Sequence, residues 1–264
     1  MMNYSIPYLT KNPMFCYEID HFFSIITDAY NFAVSGRSSI ENNFSDTVPF
    51  DPHEIAIMDC VFSLYNCILH DAETIFYFYK TSSYNYALDP IVPPIYYRNL
   101  RFNIECLFDI FLLIFDENYY DEYKNMNKNM NYYTLSQKGI KVKELGFDNT
   151  IEDYLWSCTQ ETNIFVHTSF IFEPKVTDMD KNNKVKELIM NICMVTSQAT
   201  NLVLSYIKSK GIDSRRKVIS YNYWIDISID SFEPLAKYQE FYENANRIDA
   251  LCPAPSQPIY YPQQ

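Results

Sequence analysis

Glycine is scarce in this chain of 264 residues, which contains only four glycines. Folds with many tight turns depend on glycine, because glycine adopts left-handed backbone conformations at little steric cost. The phosphate-binding motifs GxxxxGK[ST] and GxGxxG are also absent from the sequence. The scarcity therefore disfavours all-β and α/β folds and the usual nucleotide-binding loops. It favours long helices joined by loops without glycine.

Positive charge is also in short supply, since 21 Lys and Arg residues face 33 Asp and Glu residues and give a net charge of −12. An acidic surface repels nucleic-acid backbones, so RNA is a disfavoured partner. Two basic clusters stand out, Lys138/Lys141/Lys143 and 215–217. We expect both to be solvated surface clusters rather than binding sites.

The chain has seven cysteines, an odd number, and no CxxC pair. Most lie in apolar helical runs, where a thiol behaves as a small hydrophobic group, so we expect a reducing compartment. The first residues lack the features of a signal peptide, and the most apolar run, Leu107–Phe115, is too short to cross a bilayer. We therefore expect a cytoplasmic protein that does not associate with membranes.

Aromatic residues are abundant, with 24 tyrosines and 19 phenylalanines. The chain also favours Asn, Ile and Lys, a composition typical of an AT-rich genome. The number of tyrosines alone therefore predicts no binding surface.

The N-terminal part is predicted as an irregular arm over 1–16, a helix over 17–34 that Gly36 ends, and a polar loop over 36–51.

A second helix is predicted over 53–80. Asp51 caps this helix, and Pro52 suits its first turn. Apolar residues recur along this helix at alternating spacings of three and four, as on a helix that faces a core. They are Met58, Val61, Phe62, Tyr65, Ile68, Leu69, Ala72, Ile75, Phe76 and Tyr79.

Further helices are predicted from Pro93–Pro94 to Phe115, within 116–134, between Gly139 and Gly146, at 150–172, and from Asp178 or Asp180 to Lys210. The helix ending at Phe115 is apolar on two faces, which indicates the central helix of a bundle. Its main stripe is Leu100, Ile104, Leu107, Phe108, Phe111 and Leu112, and its second face is Phe102, Cys106, Ile110 and Leu113. The predicted fold is a mostly α, up-and-down bundle of about five to seven helices.

One segment departs from helical periodicity. Apolar and polar residues alternate over 219–229, which is typical of a short strand that pairs either with the N-terminal arm or, through self-association, with another subunit. A short helix over 234–248 and a tail rich in proline and glutamine follow. We predict one domain over 1–264, with the bundle at 17–211 and a C-terminal extension at 212–264.

Two groups of residues are candidates for chemistry. Arg98, Arg101, Glu105 and Asp109 recur at spacings of three and four, so they form either ion pairs within one helix or a charged groove facing another. His167 lies in the apolar run NIFVHTSF and is either an acid, base or ligand, or a hydrogen-bonded core residue.

Metal binding is disfavoured on the predicted second helix. His70 and Glu73 are three residues apart, but bundle metal sites use ExxH motifs from two helices, and here a single HxxE occurs. We therefore expect neither a metal nor another cofactor.

Three runs in the order YYRNLRFNIECLFDIFLLIF, KGIKVKELG and SCTQETNIFVHTSF resemble an all-helical bacterial family of unknown function. That family in turn resembles the HEPN domains, which are four-helix domains that bind nucleotides and often cleave RNA. The likeness covers roughly residues 90–210. It implies a site at His167, with Arg98, Arg101 and Glu105 as its charged partners.

This sequence departs from the pattern of active HEPN ribonucleases, in which four to six residues separate an Arg from the His that follows it. Gln160, Glu161 and Thr162 occupy that window before His167. The leading hypothesis is therefore a non-catalytic interaction or regulatory protein of a bacterial defence, stress or mobile-element system. Its partner would be a second copy or another protein. The alternative is a HEPN-like ribonuclease or nucleotide-binding protein.

Overall fold

Long helices make up nearly all of the chain that the computed structural model describes, which is residues 13–47, 51–81, 94–145 and 178–210. No strand occurs in these ranges, and the predicted mostly α bundle is confirmed. The helices are α1 (Pro13–Thr47), α2 (Pro52–Thr81), α3 (Pro94–Phe115), α4 (Tyr119–Asn129), α5 (Leu135–Glu144) and α6 (Asp178–Ser209). The predicted helices at 150–172 and 234–248 and the predicted strand at 219–229 lie outside the described residues.

Helix α1 is longer at both ends than predicted. It begins at Pro13, whose ring suits the first turn of a helix. The prediction that Gly36 ends it is wrong, because the helix continues to Thr47 and Gly36 is buried inside it. Arg37 fixes the extension to α2, where its guanidinium pairs with Asp59 and lies 5.5 Å from the centroid of the Phe62 ring. Contacts between helices thus override the local stop signal.

Helix α2 follows its prediction closely. The backbone N–H of His53 donates to Oδ1 of Asp51 over 2.9 Å, so the aspartate caps the helix as expected. All ten residues of the predicted apolar stripe are buried. The buried Tyr65 hydroxyl also lies 2.9 Å from Oγ1 of Thr200, which ties α2 to α6.

Helix α3 is central, as its two apolar faces predicted. It packs against α2, α6, α5 and α4. Every residue of its main stripe is buried, and so are Cys106, Ile110 and Leu113 on the second face. Phe102, which was assigned to that second face, is instead 44% exposed.

Helix α5 begins earlier than predicted. Thr134 caps it by accepting a hydrogen bond from the Gln137 N–H, while Gln137 Oε1 accepts one from the Thr134 N–H over 2.8 Å. This reciprocal capping box places Gly139 inside the helix, where it is buried. Helices α4 and α5 both pack on α3, to one side of the core formed by α1, α2, α3 and α6.

Helix α6 is buried around almost its whole circumference and packs against α1, α2 and α3. Two of its buried hydroxyls are satisfied by its own backbone, since Thr196 and Thr200 donate to the carbonyls of Ile192 and Thr196 over 2.8 Å. By length and composition, two of the described helices, α2 and α6, are long and apolar enough to cross a membrane. In α6, 94% of the apolar window is buried inside the protein, as in the core helix of a bundle.

Candidate functional site

The four charged residues that were predicted to form a stripe on α3 lie in different environments. Arg98 is exposed at the start of the helix. Arg101 Nε donates to Oε1 of Glu105 over 3.0 Å, which is an ion pair within one helix. Asp109 is buried and faces α5. Of the two interpretations left open by the sequence, the Arg101–Glu105 geometry matches the intrahelical pair.

Asp109 is the centre of a buried polar network. Its Oδ2 accepts a hydrogen bond from Lys138 Nζ on α5 over 2.8 Å, and its Oδ1 accepts one from the Tyr119 hydroxyl on α4 over 2.7 Å. Burial raises the pKa of Asp109, and the Lys138 ammonium opposes that rise. Burial and the adjacent Asp109 charge also raise the pKa of Tyr119, so its hydroxyl stays a donor. The prediction that Lys138 belongs to a solvated cluster is therefore wrong.

The other predicted site residues do not come together in the described ranges. His167 lies outside them. His70 and Glu73 are both exposed, and no group of three His, Cys, Asp or Glu residues suited to a metal ion occurs among the residues that the structure describes. The cysteines described, Cys60, Cys67, Cys106 and Cys193, are free thiols, and burial raises the pKa of Cys106 to about 12.

A second polar network joins α4 to α5. Lys141 Nζ lies 3.0 Å from Glu122 Oε2 and 3.5 Å from Asp116 Oδ2. The Tyr133 hydroxyl donates to the same Glu122 oxygen over 3.1 Å, and the Tyr133 N–H donates to Met126 Sδ over 3.3 Å. These contacts hold the residues between the two helices in a fixed position.

The turn that leaves α4 has an uncommon backbone. Met130 adopts φ 53° and ψ 30°, the left-handed region, and its N–H donates to the Met126 carbonyl. A left-handed conformation costs a residue with a Cβ about 1–2 kcal/mol. Beyond this turn the Asn131 N–H donates to the Met126 carbonyl and the Tyr133 hydroxyl donates to Glu122, so the chain runs back along α4 before α5 begins.

The chain between α4 and α5 forms an open cleft of about 320 Å³, which we call the α4–α5 cleft. Amide and tyrosine side chains dominate its wall, with one carboxylate and one thioether. The lining residues are Glu122, Asn125, Met126, Asn129, Asn131, Tyr132, Tyr133 and Gln137. This composition suits neutral polar ligands, because amides both donate and accept hydrogen bonds and tyrosine adds an apolar ring face.

Sequence reasoning missed this cleft. The segment 116–134 reads as a charged, Asn-rich helix, and nothing in that pattern brings Asn131 into one cleft with Asn125 and Asn129. One signal was available: Thr134 and Gln137 have the spacing of a capping box, which marks the start of α5 and hence a short connection between two helices.

Comparisons with known proteins add no relative. No protein-family model, no curated protein and no solved structure matches this chain. The resemblance to HEPN domains therefore remains a prediction from the three sequence runs.

Proposed function

We propose that this protein is a non-catalytic interaction protein of the bacterial cytoplasm and that the α4–α5 cleft and its rim are its partner-binding surface. The observation that carries the proposal is the position of the exposed apolar side chains. Five large hydrophobic residues of the described chain are exposed, and three of them, Met130 (83%), Tyr132 (56%) and Ile140 (55%), lie in or beside this cleft segment.

The placement of these side chains supports a binding role. Tyr132 lines the cleft, Met130 lies between two residues that line it, and Ile140 lies one turn beyond Gln137 on α5. Exposed apolar groups gathered in one region mark interaction surfaces more often than those scattered singly. Tyrosine and asparagine are also the side chains that antibody paratopes use for rigid contact area and adaptable hydrogen bonding.

A co-purification experiment with matched variants tests the proposal. Immobilised wild-type protein, a Tyr132→Ala/Ile140→Asp variant and a Tyr77→Ala control would be exposed to a lysate of the source cells. Tyr77 is 70% exposed on α2 and does not line the cleft. We expect a defined protein to be retained by the wild type and the control and reduced at least about tenfold on the double variant. The retained protein, once purified, should also bind the wild type and the control equally well and the double variant at least about tenfold more weakly.

The proposed surface would be contradicted if none of the three immobilised proteins retained a partner, or if all three retained it equally. Light scattering identifies the case in which the partner is a second copy. The wild type would then show a mass above the 31.3 kDa of one chain, and the double variant would return to that mass.

A further inference from the structure

The α4–α5 cleft contains amide groups that the fold does not use. Asn125, Asn129 and Asn131 are exposed, and their side-chain amides make no hydrogen bond to any residue in the described ranges. Gln137 differs, since its Oε1 already accepts from both the N–H and the hydroxyl of Thr134. The three asparagines are therefore the residues of the cleft whose amide oxygen and NH₂ group are both open to a ligand.

The spacing of two asparagines matches an extended peptide. Asn125 and Asn129 are four residues apart on α4 and line the same cleft. A helix rises 1.5 Å per residue, so their positions differ by about 6 Å along its axis. An extended chain repeats every second residue over about 6.4–6.8 Å. Each asparagine amide carries one carbonyl and one NH₂ group, the complement of a backbone N–H and C=O.

The charge and the volume of the α4–α5 cleft restrict the class of ligand further. Glu122 is the carboxylate of the cleft, and it is already bound by Lys141 and by the Tyr133 hydroxyl. The Tyr132 ring makes no ring contact within the described chain, so it offers a free face to a side chain of the ligand. A volume of about 320 Å³ lies at the small end of the range of ligand pockets, roughly 300–1,000 Å³.

We infer that the α4–α5 cleft binds an extended, uncharged segment of polypeptide through its backbone, with Asn125 and Asn129 each pairing with alternate peptide groups. The inference rests on the proposed function and names the chemistry of the partner. Recognition of the backbone supplies affinity and leaves the ligand's sequence largely open, while Tyr132 selects an aliphatic or aromatic side chain.

The test uses the blocked peptide Ac-(Ser-Ala)3-NH2, titrated into the isotope-labelled full chain and followed by the NMR signals of the side-chain amides. We expect saturable shifts of Asn125 and Asn129. An Asn125→Ala/Asn129→Ala variant should bind the peptide about tenfold more weakly or worse, because it lacks the amides that pair with the peptide backbone. The control is Lys124→Ala/Lys128→Ala, which has the same spacing on α4, lies outside the cleft lining and should bind like the wild type.

A second probe addresses the backbone directly. The same peptide N-methylated at its serines or at its alanines lacks the N–H groups on one edge, and we expect at least one of the two forms to lose binding. Equal binding of the parent and both methylated peptides would overturn the inference. So would shifts produced by maltotriose and not by the peptide, because the cleft would then be a saccharide site.

The two proposals fail separately. If the Tyr132→Ala/Ile140→Asp variant loses its cellular partner while the peptide leaves the asparagine signals unchanged, the backbone inference is wrong and the interaction surface stands. If the peptide binds at Asn125 and Asn129 while no cellular partner distinguishes the Tyr132→Ala/Ile140→Asp variant from the wild type, the proposed interaction surface is wrong and the cleft still binds a peptide backbone.

Discussion

Asp71 shows how one side chain makes the stability of this protein depend on pH. It lies on α2 facing α3, where its Oδ1 accepts a hydrogen bond from Asn99 Nδ2 over 2.6 Å. Its Oδ2 is buried and has no hydrogen-bond partner in the described part of the chain. Burial raises the pKa of this carboxyl to about 6. The folded protein therefore holds the Asp71 proton more tightly than the unfolded chain does.

The sign of the effect follows from that rise. Below the unfolded pKa both states are protonated and the folded state bears no penalty; as the pH rises through about 6, the folded protein must bury a charge and loses stability. We predict that Asp71→Asn raises the free energy of unfolding at about pH 7.5 by about 1–2 kcal/mol, since solvent reaches part of this residue and weakens the penalty. The difference should shrink toward zero near pH 4, because asparagine resembles the neutral acid.

Urea unfolding of both proteins across this pH range measures the difference. Glu73→Gln is the matched control, since Glu73 is exposed two residues further along α2. Its difference from the wild type should not change with pH as that of Asp71→Asn does. A constant difference between wild type and Asp71→Asn would show that the Asp71 charge is not buried in the folded protein.

At the scale of the helices, the Asp109–Lys138 pair attaches α5 to α3. Removing one member of a buried ion pair leaves the other charge without compensation, whereas removing both is often neutral or stabilising. We predict that Lys138→Met lowers the free energy of unfolding by about 3–5 kcal/mol and that Asp109→Asn/Lys138→Met recovers most of the loss. Equilibrium unfolding in urea gives all three values.

A control separates this effect from loss of charge in general. Lys143→Met removes an exposed lysine from the same helix and should change stability by less than about 1 kcal/mol. Equal losses for the Lys138 and Lys143 variants would contradict a special role for the buried pair. A double variant no more stable than Lys138→Met would show that the network is needed for packing and not only for charge balance.

The helices themselves were predictable where local signals and packing agree. The Asp51 cap, the α2 stripe and the limits of α6 follow from periodicity and capping alone. Gly36 does not end α1, because Arg37 pairs with another helix. A local sequence pattern does not reveal contacts between helices. The prediction that Lys138 lies at the surface was wrong for the same reason, since its partner Asp109 is 29 residues away in the sequence.

The candidate site was less predictable than the fold. Arg101 and Glu105 pair as their spacing allowed, but the α4–α5 cleft depends on how the chain returns after Met130. That return is fixed by Tyr133, which stacks on Tyr119 with centroids 6.3 Å apart and bonds to Glu122. A sequence gives the identity of such residues without giving their relative positions.

For the whole molecule, ion pairs link helices that are far apart in sequence. Lys80 Nζ lies 2.7 Å from Asp20 Oδ2 across α1 and α2, and Lys210 pairs with Glu54. Pairs exposed to solvent contribute about 0–1 kcal/mol each, so they orient the helices more than they stabilise them. They also occupy cations that an RNA ligand would need, in a chain whose net charge is −12.

We therefore predict that the purified protein does not cleave RNA. Wild type, His167→Ala and a His70→Ala control would be incubated with end-labelled single-stranded RNA, and the expected result is an unchanged substrate in all three reactions. Cleavage by the wild type and by His70→Ala, but not by His167→Ala, would contradict the non-catalytic proposal. It would establish the HEPN-like alternative instead.

The burial of α6 has a consequence for synthesis on the ribosome. Helices α1, α2 and α3 all pack against α6, yet α6 ends 94 residues after α3 ends at Phe115. At about 5–20 residues per second, the nascent chain waits about 5–20 s for the helix that fills the groove between them. During that interval the growing polypeptide carries an apolar groove open to water, which makes it a substrate for chaperones that bind nascent chains.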